Sequence, residues 1–584
     1  DSLADAQALI DNATQYESVA FETHEISFTD GTSGSEAIFA AGESFPFVNN
    51  FAMLATREVY APESGEYSLL VRSDDGVRLT VNGNVVVNDD LTRAVDHSEA
   101  VLFLEEGLHQ IEVLYFENTG GAVVEFAGVK GVQQYSFDIA EFSAVTDRLH
   151  GEVSTPVVYE PHIGGEWGEV IQWPEIPVSA AHLPDGKLLT WVGGTEITDT
   201  GTKSTASLYD PETGVFVGVD NETHNQFCSG IALTEDGSIF NSGGNPDTKK
   251  TSRFDIETMS WVPLDDMDKA RWYPTTLTMP DDRVFTTFAR SAANTSEIYS
   301  SVTNQWTNTP GANMQGLVDE QNLVNSQQHW QNQTASMQWY AFMHVAPDGN
   351  VFQCGDQARM FGSAVMYDVG KILITGGNDP SSDDPSSDTA IMVDINGPAP
   401  VVTEIEPMNF KRTFHDAVVL PDGRVLIIGG TTEGKLWDDW GSILPAEIWD
   451  PETEAWTVVN SLEIPRNYHS TALLMKDGRV FSGGGGACGP CDANHQDAQF
   501  YSPDYLFNTD GSDASRLEIV SVDSTVVSAG ETLSVQVSSG ATAFNMIRLQ
   551  GTTHSINTDQ RFIPVEFTQQ ASGYQLELNP NPNV

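Results

Sequence analysis

A short unit recurs along the middle of the chain: a turn containing Asp-Gly, a short apolar strand and then a pair of glycines. Strong copies begin at Leu183, Leu233, Leu420 and Met475, and weaker ones at Met279, Ala346 and Tyr367. Repeats of about 45–55 residues with several short strands each are typical of kelch-type β-propellers. These seven copies therefore predict a seven-bladed propeller between about Gly165 and Ser502.

One interval between copies is too short to hold a whole blade. The units at Ala346 and Tyr367 begin only 21 residues apart. Either a loop and strands are lost here, or the sequence skips residues between about Gln357 and Ser363. We favour a skipped segment, because a propeller that lacks half a blade does not close well.

The segments on either side of the repeat predict two further β-domains. Residues 16–142 alternate apolar and polar side chains, and Asn82-Gly83 between two apolar runs predicts a tight hairpin. From Arg516 the pattern is that of an immunoglobulin-like β-sandwich, with too few strands to be complete. We therefore predict an all-β chain with domains at residues 1–150, 151–510 and 511–584.

The charge of the chain excludes several functions. Its 83 acidic and 27 basic residues give a net charge of −56, whereas binding to a nucleic acid backbone requires basic patches. A hydrophobic content of 40% argues against a disordered acidic chain. No apolar run approaches the roughly 18–20 residues of a transmembrane helix. No basic segment precedes an apolar run at Asp1, so we expect that any signal peptide is already gone. The Cys488-Gly489-Pro490-Cys491 pattern suggests an oxidising compartment, and we expect a secreted or cell-surface protein.

Three segments stand at the same phase of their blades, each leading into a repeat strand: Phe227–Gly230, Ala270–Pro274 and Arg466–Ser470. Equivalent positions of a propeller converge on its axis. Cys228, Tyr273, Tyr468 and His469 are therefore predicted to face one another there, and His554, in a polar turn of the last domain, to reach the same axis. Two imidazoles and two phenolates suit copper(II) better than calcium or structural zinc. The alternative is that both tyrosines are ordinary inner-strand aromatics.

The motifs around these residues resemble galactose oxidase and the wider copper radical oxidases, including glyoxal oxidase. They are FCSGIAL, KARWYPTTLTM, FKRTFHDAVVLPDGRV, RNYHSTALLMKDGRVFSGGGGACGPCDANHQDAQFYSPDYLF and GTTHSINTDQRFIP. The resemblance runs from about Gly165 to the end of the chain.

The resemblance implies a role for each of the five residues. Tyr273 corresponds to the equatorial tyrosine that is joined to a cysteine, here Cys228, by a thioether and that carries the radical. Tyr468 corresponds to the axial tyrosine and general base. His469 and His554 correspond to the two histidine ligands of copper. The implied activity is oxidation of a primary alcohol or aldehyde by dioxygen, with hydrogen peroxide as the second product.

Departures from the family pattern concern the surroundings of the site. The stretch Phe285–Ser291 contains no tryptophan where the family has one stacked on the cross-linked tyrosine. We expect Phe288 or Trp272 to cover that ring instead, and we place both, with Trp437 and Leu436, among the candidate residues of the substrate rim.

Further departures concern the substrate. The arginine that holds sugar hydroxyls in the family falls near Ala335-Ser336 and is absent, and Ser381-Ser382 replace a Tyr-Gln pair. Trp437 stands where the family has a substrate-facing phenylalanine, with Leu436 beside it at the rim. These changes predict small or apolar primary alcohols or aldehydes as substrates rather than galactose.

Two of the four cysteines form the sequence Cys488-Gly489-Pro490-Cys491. A thioredoxin-like redox site requires this pattern at the start of a helix in a βαβ unit. Here it follows four glycines at the end of a strand, which favours a structural disulfide between Cys488 and Cys491. We predict that Cys354 is a buried thiol.

The first domain resembles the protective-antigen domain family through YSLLVRSDDGVRLTVNGNVVV and IEVLYFENTGGAVVEF. Some members bind sugars through calcium held by adjacent aspartates, here Asp74 and Asp75, but the same turn occurs in members that bind none. The alternative function for the whole chain is a non-catalytic glycan-binding adhesin or matrix protein on a propeller scaffold. A sialidase is disfavoured because the repeats are of the Asp-Gly kelch type.

Overall fold

The computed structural model describes most of the chain. The described residues are 2–11, 27–29, 43–44, 51–61, 64–90, 92, 96–105, 107–118, 122–130, 150–151, 156–194, 201–245, 248–289, 295–312, 340–354, 361–378, 386–432, 436–437, 439, 441–489, 491 and 493–583. They form two compact units, Asp1–Val153 and Ser154–Val584. The predicted all-β class is confirmed, because strands make up nearly all of the regular structure in both units.

The described residues of the first unit form a β-sandwich with one short helix. Helix α1 spans Leu3–Asp11, and the strands are β1 (Ser27–Thr29), β2 (Glu43–Ser44), β3 (Phe51–Ala61), β4 (Gly65–Ser73), β5 (Val77–Val81), β6 (Asn84–Asp89), β7 (Asp96–Leu104), β8 (Gly107–Glu117), β9 (Val123–Lys130) and β10 (His150–Gly151). Two five-stranded sheets form, with the orders β2-β1-β9-β4-β7 and β10-β3-β8-β5-β6. Their inward side chains, among them Leu69, Val71 and Val113, make one buried core.

Local sequence fixes the ends of two of these elements. The Ser2 hydroxyl caps α1 by accepting a hydrogen bond from the Asp5 amide at 3.2 Å. The predicted hairpin at Asn82-Gly83 is confirmed, since the two residues join β5 to β6 with φ values of 49° and 77°. Asparagine and glycine tolerate this left-handed conformation, which matches the twist of the paired strands.

The second unit contains seven sheets that correspond to the seven repeats. It begins with helix α2 (Pro161–Gly164) and strands β11 (Glu166–Trp167) and β12 (Ile171–Gln172). Its later strands are β13 (Ser179–His182), β14 (Leu188–Gly193), β15 (Ser204–Asp210), β16 (Val215–Gly218), β17 (Gly230–Leu233), β18 (Ile239–Ser242), β19 (Thr251–Asp255), β20 (Ser260–Pro263), β21 (Thr275–Thr278), β22 (Val284–Thr287), β23 (Ser296–Ser300), β24 (Gln305–Asn308), β25 (Phe342–Val345), β26 (Val351–Cys354), β27 (Ser363–Asp368), β28 (Lys371–Thr375), β29 (Ala390–Asp394), β30 (Val401–Ile405), β31 (Asp416–Val419), β32 (Val425–Ile428), β33 (Pro445–Asp450), β34 (Ala455–Ser461), β35 (Ser470–Leu474), β36 (Val480–Gly484) and β37 (Asp497–Ser502). The sheets are β13–β16, β17–β20, β21–β24, β25–β26, β27–β30, β31–β34 and β35–β37.

The repeat pattern has a direct physical cause. In the Asp422-Gly423 turn, the Asp422 carboxylate accepts a hydrogen bond from the Arg424 amide at 3.1 Å, and Gly423 adopts a φ of 89°. At the glycine pair of the second sheet, a Cβ on Gly243 would lie 2.4 Å from the carbonyl oxygen of Arg271, in the loop that leads into the next sheet. The glycines therefore allow neighbouring blades to approach closely at their inner ends.

The ring of sheets closes without a covalent link. Strands β11 and β12, at the start of the unit, pair antiparallel with β37 of the seventh sheet. The beginning and the end of the propeller thus share one sheet, as radial closure requires.

The fourth sheet contains two described strands, β25 and β26. It includes the repeat copy at Ala346, which we predicted to be too close to the next copy for a whole blade. The first strand of the next sheet, β27, already begins at Ser363. We expected a skipped segment between about Gln357 and Ser363, and residues 357–360 of that interval lie outside the described residues.

The last part of the chain adds strands β38 (Ile519–Val522), β39 (Thr532–Val537), β40 (Asn545–Ile547), β41 (Gly551–Thr553), β42 (Phe562–Pro564), β43 (Glu566–Gln570) and β44 (Gly573–Glu577), after a 3₁₀ turn at Asp504–Leu506. Four strands form one sheet in the order β38-β39-β44-β43, and β40 pairs with β42. The boundaries that we gave for three domains stay a prediction.

Residues 549–561 leave these sheets and run through the centre of the propeller. Strand β41 pairs with β13, the inner strand of the first sheet. Amides of inner strands donate to this segment: His182 to Gln550, Leu233 to Asp559 and Val419 to Gln560. The donors belong to three different sheets, so the segment occupies the axis, and it places His554 among the inner ends of the blades.

Candidate metal centre

Six blades place an aromatic, imidazole or thiol side chain at an equivalent inner position. These residues stand one or two positions before the inner strand of their sheet and have left-handed φ values: Cys228 (58°), Tyr273 (61°), Tyr340 (47°), Phe361 (58°), Phe414 (63°) and His469 (73°). Such a conformation costs a non-glycine residue about 1–3 kcal/mol and is concentrated at functional sites. The fold thus holds six strained residues at one end of the axis.

The five residues singled out from the sequence lie together at this end. The Tyr273 and Tyr468 hydroxyl oxygens are 2.6 Å apart, and the Cys228 sulfur is 3.3 Å from Nε2 of His554. The rings of His469 and His554 are 4.4 Å apart between centroids. Among the described residues, the group of His, Cys, Asp or Glu side chains with ligand atoms all within 4.8 Å of one another is Cys228, His469 and His554.

His469 offers an unused nitrogen to this cluster. Its Nδ1 donates a hydrogen bond to the carbonyl oxygen of Gly486. Its Nε2 is buried and has no hydrogen-bond partner among the described residues. Burial lowers the pKa of His469 to about 4, so the imidazole is neutral at neutral pH and Nε2 carries a free lone pair. An orphaned buried nitrogen of this kind fits a metal ligand.

His554 is oriented in the same way by a neighbouring hydroxyl. The Thr553 hydroxyl donates to the Val178 carbonyl at 3.0 Å and lies 2.5 Å from Nδ1 of His554. Since that hydroxyl proton is used, Nδ1 is the protonated nitrogen and Nε2 is the acceptor. Burial, and then the nearby His469, lower the pKa of His554 well below its usual value.

The two phenols are buried, and their pKa values are raised well above 10. For both Tyr273 and Tyr468, burial is the main cause of the raised pKa, and the proximity of Cys228 is the second. A cation bound beside the pair would reverse this effect by stabilising the phenolates. Two imidazole nitrogens and two phenol oxygens are a donor set that suits copper(II), and the residues present therefore fit that ion.

Cys228 lies beside Tyr273. The Tyr273 amide donates to the Cys228 carbonyl at 3.0 Å, and the thiol interacts with the phenol. Both side chains lie in one buried cluster with Phe227 and Tyr340. Cys354, as predicted, is a buried thiol elsewhere, and burial raises its pKa to about 12.

The predicted rim residues occupy different places. Trp437 is 46% exposed, and its ring lies edge-on to Tyr468 at 6.1 Å, with the partly exposed Leu436 beside it in the chain. The Trp272 ring is 4.9 Å from that of Tyr273, tilted by 53°. Phe288 is only 1% exposed and packs in a separate apolar cluster, inside the propeller rather than at a rim. The stretches around 291, 335–336 and 381–382 lie outside the described residues.

Tyr340 is a member of the cluster that the sequence analysis missed. Its ring contacts both Tyr273 and His554. It precedes the weak repeat copy that begins at Ala346, and the weakness of that copy hid it. The pair Trp339-Tyr340 repeats the pair Trp272-Tyr273 at the same phase, and this was the available signal.

Buried ion pairs support the inner loops and were also missed. Arg271, Arg412 and Arg466 are fully buried and pair with Glu297, Glu447 and Asp497 at 2.9, 3.0 and 2.7 Å. Each arginine stands two residues before an aromatic side chain of the cluster: Tyr273, Phe414 or Tyr468. Each also donates to a carbonyl near the end of the second strand of its sheet, which fixes the loop against that strand.

The predicted disulfide between Cys488 and Cys491 is confirmed. It closes a small loop directly after Gly486, whose carbonyl orients His469. Its neighbour Ala487 packs in the same cluster as Cys228 and Tyr273. The disulfide therefore lies beside the site, in the loop that follows the residue orienting His469.

In the first unit, Asp74 and Asp75 are buried and engaged by the protein itself. The Tyr115 hydroxyl lies 2.5 Å from Asp74 and 2.7 Å from Glu117, and the Asn118 amide donates to Asp75 at 2.7 Å. Burial raises the pKa of Glu117 to about 8. Calcium at the two aspartates stays a prediction.

Three family models match the chain. A PA14 domain matches residues 5–131, the glyoxal oxidase N-terminus matches residues 372–494, and a galactose oxidase-like early set domain matches residues 516–584. The last match agrees with the predicted immunoglobulin-like sheets. No helix among the described residues is long and apolar enough to cross a membrane.

Individual proteins of known activity are similar over most of the second unit. A galactose oxidase from Gibberella zeae is 35% identical over 465 residues, which cover 72% of this chain and 67% of the relative. An aldehyde oxidase from Vitis pseudoreticulata is 26% identical over 400 residues, 58% of this chain and 72% of the relative. The structure of a fungal alcohol oxidase of the AA5 family in complex with copper has a TM-score of 0.65 and 31% identity, covering 71% of this chain and 93% of the other.

Proposed function

The chain belongs to the galactose oxidase family of copper-dependent alcohol and aldehyde oxidases, and we propose that it oxidises small or apolar primary alcohols or aldehydes with dioxygen. One observation carries the proposal: side chains from three propeller blades and from the central segment converge within hydrogen-bond distance of one another. Glycan binding by a non-catalytic adhesin does not require such a cluster of cysteine, tyrosine and histidine side chains, so that alternative lacks support.

We assign copper to Nε2 of His469, Nε2 of His554 and the hydroxyl oxygens of Tyr273 and Tyr468. The free nitrogen of His469 and the fixed tautomer of His554 support this set. When bound, copper would supply one-electron redox chemistry beside Tyr273 linked to Cys228, so that two electrons from the substrate could reach dioxygen and hydrogen peroxide would be the second product.

The side chains of the site divide the remaining work. Oη of Tyr468 takes the hydroxyl proton of the alcohol as general base. Oη of Tyr273, in its one-electron-oxidised radical state, takes the hydrogen atom from the adjacent carbon and returns to a phenol. Both phenols are buried, so bulk water is kept away from the reacting atoms.

The exposed surroundings support an apolar substrate. Trp437 offers a half-exposed aromatic surface next to Tyr468. The sugar-holding arginine and the Tyr-Gln pair of the family are absent from the sequence. A pocket without those hydrogen-bonding side chains gains little binding free energy from the hydroxyls of galactose. It therefore has no preference for galactose over an alcohol that lacks them.

We propose secretion or display at the cell surface for the mature protein. The Cys488–Cys491 disulfide is compatible with an oxidising compartment, and a net charge of −56 favours solubility. For the first unit, we retain glycan binding with calcium at Asp74 and Asp75 as a proposal.

The cross-link gives the sharpest test of the function. Protein loaded with copper in air should yield one peptide pair joined through Cys228 and Tyr273, with the loss of two hydrogens by mass spectrometry. The same protein should release peroxide from a primary alcohol. The Cys228→Ser variant is the matched control and should show neither the link nor peroxide release. Unlinked peptides in copper-loaded, aerated wild-type protein would contradict the proposal.

A further inference from the structure

The backbone connects three neighbouring blades in series at the site. The Tyr273 amide donates to the Cys228 carbonyl at 3.0 Å, and the Tyr340 amide donates to the Tyr273 carbonyl at 3.0 Å. The three residues have similar left-handed φ values of 58°, 61° and 47°. Tyr340 therefore continues a chain of contacts that begins at the cysteine.

The Tyr340 side chain returns to the start of that chain. Its hydroxyl donates to the Ser229 carbonyl at 2.8 Å, and Ser229 directly follows Cys228. The contacts form a closed loop from Cys228 to Tyr273, on to Tyr340 and back to Ser229. Such a loop restricts the orientation of the thiol relative to the phenol more than either contact alone.

The ring of Tyr340 also contacts the residue that comes from the central segment. It lies 4.9 Å from the His554 ring, tilted by 39°, and 5.1 Å from the Tyr273 ring in an edge-on arrangement. Tyr340 is buried. One side chain thus touches Tyr273 and His554 and is bonded to the backbone beside Cys228.

We propose that Tyr340 is a positioning residue that holds Cys228 against Tyr273 for formation of the thioether, and that holds His554 beside them. The inference rests on the proposed function, because it concerns the same site. No family motif or predicted site residue includes this tyrosine.

Formation of the thioether depends strongly on position. The S–H bond of Cys228 and the C–H bond ortho to the Tyr273 hydroxyl break, a C–S bond forms, and dioxygen takes both hydrogens and becomes hydrogen peroxide. A displacement of about 1 Å between reacting groups slows such a reaction about 100-fold. Loss of the Tyr340 hydroxyl should therefore slow the cross-link before it affects the fold.

The test measures the rate of cross-linking. Metal-free protein is mixed with copper in air, and the linked peptides are quantified by mass spectrometry over time. Tyr340→Phe keeps the ring and removes the bond to Ser229, and we expect roughly 10- to 100-fold slower linking. Tyr299→Phe is the control, because the Tyr299 hydroxyl donates to Asn304 at 2.8 Å in the third blade, outside the site. It should link at the wild-type rate.

A spectroscopic measurement separates positioning from general destabilisation. Electron paramagnetic resonance of bound copper(II) should differ between Tyr340→Leu and wild type, since this variant also loses the ring against His554. It should be unchanged in Tyr299→Phe. Wild-type linking rates in both Tyr340 variants, with unchanged spectra, would overturn the inference and leave the proposed function standing. Failure of wild-type protein to link would instead overturn the proposed function.

Discussion

The hydroxyl oxygens of Tyr273 and Tyr468 lie 2.6 Å apart, although 195 positions separate the two residues in the chain. Tyr273 precedes the inner strand of the third sheet, and Tyr468 precedes that of the seventh. Closure of the ring, rather than local sequence, brings them together. Each hydroxyl has one proton, so only one of the two can donate within the pair. A cation beside the pair favours loss of the other proton, which is the state that a general base requires.

Replacement of Tyr468 by phenylalanine should remove the base and preserve the packing. The ring remains free to stack on His469, at 3.9 Å between centroids. We expect kcat to fall by about 10²–10⁴-fold, the range for loss of a positioned acid–base group, with a much smaller change in KM. Peroxide-coupled kinetics measure both constants. Tyr505→Phe, which loses a bond to the Gly478 carbonyl away from the site, is the control and should retain wild-type kcat.

Replacement of His554 by alanine should remove most of the stabilisation that copper gives to the folded protein. A ligand that binds only the assembled fold stabilises it by about 2.7 kcal/mol at 100 times its Kd. His554→Ala should lose most of the copper-dependent increase in Tm, whereas His162→Ala, on helix α2, should retain it. Thermal unfolding with and without copper measures the increase. An undiminished increase in His554→Ala would mean that this histidine is not a ligand.

The parts of the fold that the sequence predicts are those with local causes. The Asp-Gly turns and glycine pairs mark the blades because a turn and a close approach of backbones require them. Cys228, Tyr273 and His469 were found for the same reason, since each directly precedes a recognisable repeat strand.

The parts that were missed depend on closure of the ring. Tyr340 precedes a weak repeat copy, and its importance lies in contacts with Ser229 and His554, which are far away in the chain. Arg466 and Asp497 pair across their blade, and no spacing rule identifies such a pair before the blade is known. The sequence also does not indicate that these arginines are buried, because their neighbours in the chain are ordinary loop residues.

The exposed Trp437 should decide the substrate range. Aromatic contacts contribute about 0.5–1.5 kcal/mol, so Trp437→Ala should raise the KM for benzyl alcohol roughly 2- to 10-fold and leave glycerol less affected. Wild-type protein should prefer benzyl alcohol or methylglyoxal to galactose. A peroxide-coupled screen over these four compounds measures the order. Galactose as the best substrate would contradict the prediction and would require sugar-binding residues other than those of the family.

Glu117 should make the first unit less stable as the pH rises. Burial raises its folded pKa to about 8 from 4.5. The folded protein therefore keeps a proton that the unfolded chain releases between these values, and the stabilisation is complete below pH 4.5 and is lost as the pH rises through 8. Hydrogen exchange of the first unit should show this slope in wild type and a flatter profile in Glu117→Gln. Equal slopes in both proteins would contradict the assignment.

Replacement of Glu447 by glutamine should cost far more stability than replacement of an exposed acidic residue. It pairs with Arg412 at 3.0 Å, and both side chains are fully buried. Glu447→Gln leaves the guanidinium without a counter-charge, and breaking a buried pair in this way costs about 3–5 kcal/mol. Asp281→Asn is the matched control, because the Asp281–Arg283 pair is exposed, and such pairs contribute only about 0–1 kcal/mol. Urea unfolding gives both free energies, and a cost for Glu447→Gln as small as that of the control would show that Arg412 finds other partners.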